Sequence, residues 1–151
     1  MVTNILTALL VLGSGTVAGV MFAVAVSTLP ALLSMPPDQY VDAHRALGRN
    51  WDPTMPIIVL TSTIIATVLA FLVSAPVPRT MFAVSAALLL GVAGVSHLCN
   101  VPINRAVKAL DSRDIPADWP DPRPLWRRWH LLRTGFAVTA LTVVGLTVAF
   151  T

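Results

Sequence analysis

Four stretches of this chain are each long and apolar enough to cross a bilayer, and that limits what it can fold into more than any other feature. They cover residues 5–33, 55–74, 80–98 and 131–150. A span takes about 20 predominantly apolar residues at 1.5 Å rise per residue. None of the four holds an Asp, Glu or Lys, and Arg133 stands at the edge of the last. In hydrocarbon the backbone must bond to itself, so such stretches become helices or a closed barrel, and runs of this length and uniformity are helical. With 151 residues the chain has room for one domain. The expected fold is all-α: one integral-membrane four-helix bundle over residues 1–151, its third span continuing as helix to about residue 110, with partly helical, partly irregular polar loops.

Charge sets the direction. The chain is 56% hydrophobic and 11% charged, whereas a soluble domain carries about 25% charged residues. Its net charge of +3 does not mark a nucleic-acid binder, because the basic residues flank apolar spans. Eight of the ten gather in two loops, residues 35–53 and 99–130, which four spans place on one face. Neither terminus carries Lys or Arg. The positive-inside rule puts both loops in the cytoplasm and both termini outside. Arg outnumbers Lys and every acid is Asp, a bias of GC-rich bacterial genes, so the expected location is a bacterial cytoplasmic membrane. The N-terminal span lacks a basic leader and a nearby small-residue cleavage site, so it reads as retained. Cys99 is the lone cysteine, which excludes an internal disulfide and any CxxC redox motif.

The loops carry structure of their own. Pro36 and Pro37 suit a helix start. Asp38, Asp42, Arg45 and Arg49 follow helical spacing and are expected to pair along one side, with Tyr40 and His44 on a neighbouring stripe. Residues 111–124, with four Pro and four Asp, are irregular. In the first span Gly15 and Gly19 form a GxxxG, the expected close-packing face and the candidate surface for a homo-oligomer. Thr61, Ser62, Thr63 and Thr67 are expected to bond to nearby backbone.

All three histidines fall at the loop end of the bundle. His97, Asn100 and Asn104 are spaced i, i+3, i+7 around Pro102, whose ring presses on the carbonyl of Leu98 and kinks the helix there. Trp126, Trp129, His130 and Arg133 are spaced i, i+3, i+4, i+7, again one face. A structural reading makes the amides kink caps and the Trp–Arg group an interfacial belt. That reading leaves His130 and Arg133 unexplained, because an Arg one turn inside the bundle needs a partner. Asp52, Asn100 and Asn104 are the candidates.

The pattern His97-x-x-Asn100-x-Pro102-x-Asn104, followed by Trp126-x-x-Trp129-His130-x-x-Arg133, resembles the anthrone oxygenase-like family of small membrane proteins. Gly19 with Phe22, Leu29-Pro30-Ala31-Leu32 and Asp52-Pro53-Thr54-Met55-Pro56 extend the likeness over most of the chain. The resemblance implies a four-helix membrane bundle and oxidation of a hydrophobic aromatic, anthrone-like substrate by molecular oxygen to a quinone, an activity of aromatic polyketide pathways. Deprotonating an anthrone gives an electron-rich anion that can react with oxygen without a cofactor. The base would be His97 or His130. Arg133, Asn100 and Asn104 would stabilise the anion, and Trp126 and Trp129 would hold the rings.

Two alternatives stand beside this reading. His44, His97 and His130 could together hold copper, iron or zinc, which would make His44 essential; without a metal His44 is expected on the surface of its loop helix. The chain could instead be a non-catalytic accessory or lipid- or quinone-binding protein, with its polar groups bonded to one another and no void. A transporter would want an acid within the spans, and there is none.

Overall fold

The computed structural model describes residues 1–49, 51 and 53–150. Its five helices are α1 (Val2–Ser34), α2 (Pro37–Leu47), α3 (Thr54–Leu72), α4 (Pro76–Ala109) and α5 (Arg123–Ala149), with no strand among the described residues. All but α2 are long and apolar enough to cross a membrane, so this is a multi-pass membrane protein. The four spans form a ring in which α1 packs on α3, α3 on α4, α4 on α5 and α5 on α1.

At the end holding the chain termini and the turn between α3 and α4, the bundle is filled with aliphatic side chains. Leu10, Leu69, Leu89 and Val144 are fully buried there with Phe82. With lipid outside, helix association relies on close fit and on small residues that let backbones approach. The tightest such place is Gly13, where an added Cβ would lie 2.2 Å from Ser62 Oγ. Within the chain, close packing falls here rather than at the GxxxG. Gly15 would meet only Leu141, at 3.9 Å, and Gly19 has nothing within 4 Å. Of the α3 hydroxyls, Thr63 donates to Val59 O and Thr67 to Thr63 O, both at 2.8 Å, while Ser62 is buried against α1.

Towards the loops two helices change pitch. α1 widens into a π-helical turn at Val24–Thr28, just before Pro30, and α4 does so at Ser96–Asn100, just before Pro102. Each proline lacks an N–H and its ring crowds the carbonyl four residues back. A wide turn absorbs that conflict without breaking the helix, and such turns are frequent at functional sites. The two spans run in the same direction, so both wide turns lie in the loop half, where the interior opens.

The loops close that half by arginine capping. Arg45 on α2 donates to Lys108 O, at 3.2 Å from Nε and 3.0 Å from NH2, and also to Leu110 O, covering the C-terminal carbonyls of α4. Arg123 on α5 donates to Met35 O (2.6 Å) and Leu32 O (3.2 Å), covering the end of α1. Cations suit helix C-termini, where unpaired carbonyls concentrate negative charge. Arg45 therefore serves α4 rather than the expected pairing with Asp38 or Asp42. The ion pair found among the described residues is Arg123–Asp121 (2.7 Å). The Asp121 carboxylate also accepts from the Arg123 backbone N–H at the start of α5 (2.9 Å). Beneath these caps Leu32, Tyr40, Val41 and Val107 seat α2 on the ends of α1 and α4.

The Gly13 contact yields a stability test. Gly13→Ala should lower the thermal midpoint in detergent, by the equivalent of about 1–3 kcal/mol for overpacking, while Gly19→Ala leaves it unchanged. Adding Ser62→Ala to Gly13→Ala should restore it, since the remaining Ser62 Cβ lies at an ordinary 3.5 Å.

Candidate functional site

A cavity of about 560 Å³ lies in the loop half of the bundle, between the two wide turns. Met21, Val24 and Thr28 of α1 form one side, Met55, Val59 and Leu60 of α3 another, and Ser96, His97 and Leu98 of α4 a third. Trp126, His130 and Arg133 of α5 form its back, and His44 and Gly48 bring the loop helix over its mouth. Leu60 and Leu98 belong to the wall yet are 50% and 78% exposed. The cavity therefore reaches the lipid-facing surface where α3 meets α4.

The polar centre of the wall is Arg133. Its Nε and NH2 approach His130 Nδ1 at 3.2 and 2.9 Å, and its NH1 donates to Ser96 Oγ at 3.1 Å. A guanidinium can only donate, so Nδ1 accepts. The ring proton is then on Nε2, which donates to Met21 O at 3.0 Å. His130 is fully buried, and its backbone carbonyl accepts from Thr134 Oγ1 at 2.7 Å. Both ring nitrogens are thus engaged. Of the five N–H groups of Arg133, one on each terminal nitrogen is left over for the cavity.

Trp126 stacks on His130, with ring centroids 5.1 Å apart and planes within 3°. Its indole N–H donates to Asn104 Oδ1 at 2.8 Å. On its other side stands His44, edge-on at 6.0 Å, followed by Tyr40 at 5.4 Å from His44. His44 is buried, not on the surface of its helix as expected. Burial, then the Lys108 charge, push its pKa below the ordinary histidine value, against a hydrogen bond with Asn104. Tyr40 is pushed up to about 12, by burial first and then by the Asp121 charge, against the opposing pull of Arg123.

His97, Asn104, Trp126, His130 and Arg133 all line the cavity. His97 is exposed and has no hydrogen-bond partner among the described residues. Asn100 does not line the wall. It is fully buried, its amide donates to Trp126 O at 3.3 Å, and its Oδ1 finds no partner. The wide turn at Ser96–Asn100 accounts for this, because it rotates the residues beyond it and divides the expected His97–Asn100–Asn104 stripe. Trp129 is half-buried and also outside the wall, since the stripe it shares with Trp126 and Arg133 is wider than the cavity's back.

Arg133 bonds to neither Asn100 nor Asn104, and Asp52 lies outside the described residues. Its actual partner Ser96, and the Met21 carbonyl that orients His130, were missed. Ser96 directly precedes His97 at the end of an apolar run and could have been noticed; a backbone carbonyl leaves no mark in the sequence. The three histidines do not gather. Trp126 stands between His44 and His130, both His130 nitrogens are taken, and no three His, Cys, Asp or Glu groups form a metal-holding cluster among the described residues.

A four-span membrane bundle with a side-opening apolar cavity and an arginine–histidine network at its back is the class this geometry defines. The family model for anthrone oxygenase matches residues 44–143, from the loop histidine through the network and on into α5. The chain belongs to the anthrone oxygenase family. No curated protein and no solved structure matches it significantly.

The depressed His44 pKa gives a pH test. A histidine that is harder to protonate when folded leaves the native state undisturbed above its unfolded pKa, about 6.5, and destabilises it as pH falls below that value. The thermal midpoint should therefore drop between pH 7 and pH 5. His44→Gln should make that drop shallower; an unchanged slope would mean His44 does not titrate differently in the folded protein.

Proposed function

We propose that this protein is a membrane-bound oxygenase that takes a hydrophobic, anthrone-like aromatic from the bilayer and oxidises it with molecular oxygen to a quinone. The observation carrying this reading is Arg133, a cation held by neutral acceptors in the wall of an apolar cavity with two N–H groups left over. Donors held in place before reaction, in a site poor in water, stabilise developing negative charge far better than donors in water. Family membership supports the reaction class.

The chemistry balances without a further reactant. A base removes a proton from the methylene beside the aromatic ketone. The resulting anion passes an electron to oxygen, and recombination forms a carbon–oxygen bond, giving a hydroperoxide once protonated. Loss of water leaves the second carbonyl, so one oxygen atom enters the product and the other leaves as water. His97 is the base, because it lines the cavity and has no hydrogen-bond partner among the described residues. His130, bonded at both nitrogens, positions Arg133, and Arg133 holds the substrate oxygen as it becomes anionic. Asn104 and Trp126 shape the aromatic wall, Asn100 ties α4 to α5, and Trp129 serves packing. The side opening at Leu60 and Leu98 admits a lipid-dissolved substrate. In the membrane the loops face the cytoplasm, as the distribution of Lys and Arg favours.

The test is oxygen uptake and quinone absorbance with anthrone and protein in nanodiscs, against empty nanodiscs. Wild type should turn over. His97→Gln should lose about 10²–10⁴ in kcat, the usual range for a general base, and Arg133→Gln about 10²–10³, as for loss of an oxyanion donor. Absence of turnover above background would reduce the protein to a binding or accessory role. One equivalent of bound metal, lost in His97→Ala, would overturn the cofactor-free route.

A further inference from the structure

The cavity carries a second cation that the oxidation does not use. Lys108, the only lysine in the chain, is part of the wall at the loop end. Arg45 holds its backbone carbonyl. Its side chain lies over Gly48, with Cε 3.5 Å and Nζ 3.7 Å from where a Cβ would stand. Lys108 has no ion-pair partner among the described residues, and no described wall residue is a carboxylate.

The two cations mark opposite ends of one slot. Arg133 is held at Ser96, and Lys108 lies twelve residues further along α4, about 18 Å by helical rise before the side chains reach inward. Between them the wall is His97 and Asn104 on α4, with Trp126 behind. Two positive ends with no carboxylate between them among the described wall residues favour a ligand that is flat, elongated and negative at its outer end.

Building on the function proposed above, we infer that the substrate is an aromatic carboxylic acid, its reacting oxygen at Arg133 and its carboxylate at Lys108. The acid would keep one end of a membrane-soluble molecule at the water-facing mouth and so set which carbon lies beside His97. Lys108 is then a specificity-determining residue. If it served only the carbonyls at the end of α2, it would not distinguish an acid from its ester.

The probes are anthracene-2-carboxylate and its methyl ester, followed by fluorescence anisotropy with protein in nanodiscs against empty nanodiscs. Wild type should bind the acid at least about tenfold tighter than the ester, the factor of one modest charge contact. Lys108→Gln should bring the two within about twofold. Lys108→Arg and the exposed loop variant Arg113→Gln should keep the preference. Equal affinities in wild type, a preference surviving Lys108→Gln, or no saturable binding of either probe would each overturn the inference. Binding needs no turnover, so a protein that prefers the acid yet oxidises neither anthrone nor an anthrone carboxylic acid would contradict only the oxygenase reading.

Discussion

The loop half of this bundle depends on how a guanidinium is held among apolar spans without a carboxylate. An unpaired charge there would cost several kcal/mol. Arg133 is satisfied instead by two neutral acceptors, His130 Nδ1 on its own helix and Ser96 Oγ on α4. His130 can accept only because its other nitrogen gives a proton to the Met21 carbonyl of α1. One chain of hydrogen bonds thus fastens α1, α5 and α4 around the cavity. Because the acceptors are neutral, the arginine keeps its full charge for a ligand; a carboxylate partner would have cancelled it.

The two prolines make room for this arrangement. A straight α1 and α4 would continue the close aliphatic packing seen around Leu10 and Leu89. The wide turns before Pro30 and Pro102 end that packing and place Ser96 and His97 on the cavity side, with Asn100 turned against the backbone of α5. The arginine caps then hold the displaced helix ends, Arg123 on α1 and Arg45 on α4. In the other half, tight contacts such as Gly13 against Ser62 supply rigid support. Close packing and the cavity are thereby divided between the two ends of the same four helices.

Much of this was legible in the sequence, for physical reasons. Spans follow from lipid's intolerance of unpaired backbone, so apolar length alone revealed all four. Helical periodicity placed Trp126 against His130 and Tyr40 against His44, and the structure keeps both pairs. Periodicity failed where the helix departs from its regular pitch, which is why Asn100 left the stripe of His97. It also assumes that charges seek opposite charges. Arg45 instead went to backbone carbonyls at a helix end, and Arg123 divides between Asp121 and such carbonyls, whose demand depends on where helices stop and is invisible to side-chain patterns. Within the chain the GxxxG makes no close helix contact, because a small residue permits close approach without requiring it; Gly13, outside the motif, is where α3 comes close.

His130 in this network is an acceptor holding Arg133, not a free base. Nitrogen-15 NMR of selectively labelled histidine in bilayers, assigned by comparison with His130→Gln, reads this directly. At neutral pH His130 should show an unprotonated Nδ1 and a protonated Nε2, with through-space coupling from Nδ1 to an arginine guanidinium. A protonated Nδ1, in either the other tautomer or the imidazolium, would contradict the network and the division of roles between His130 and His97.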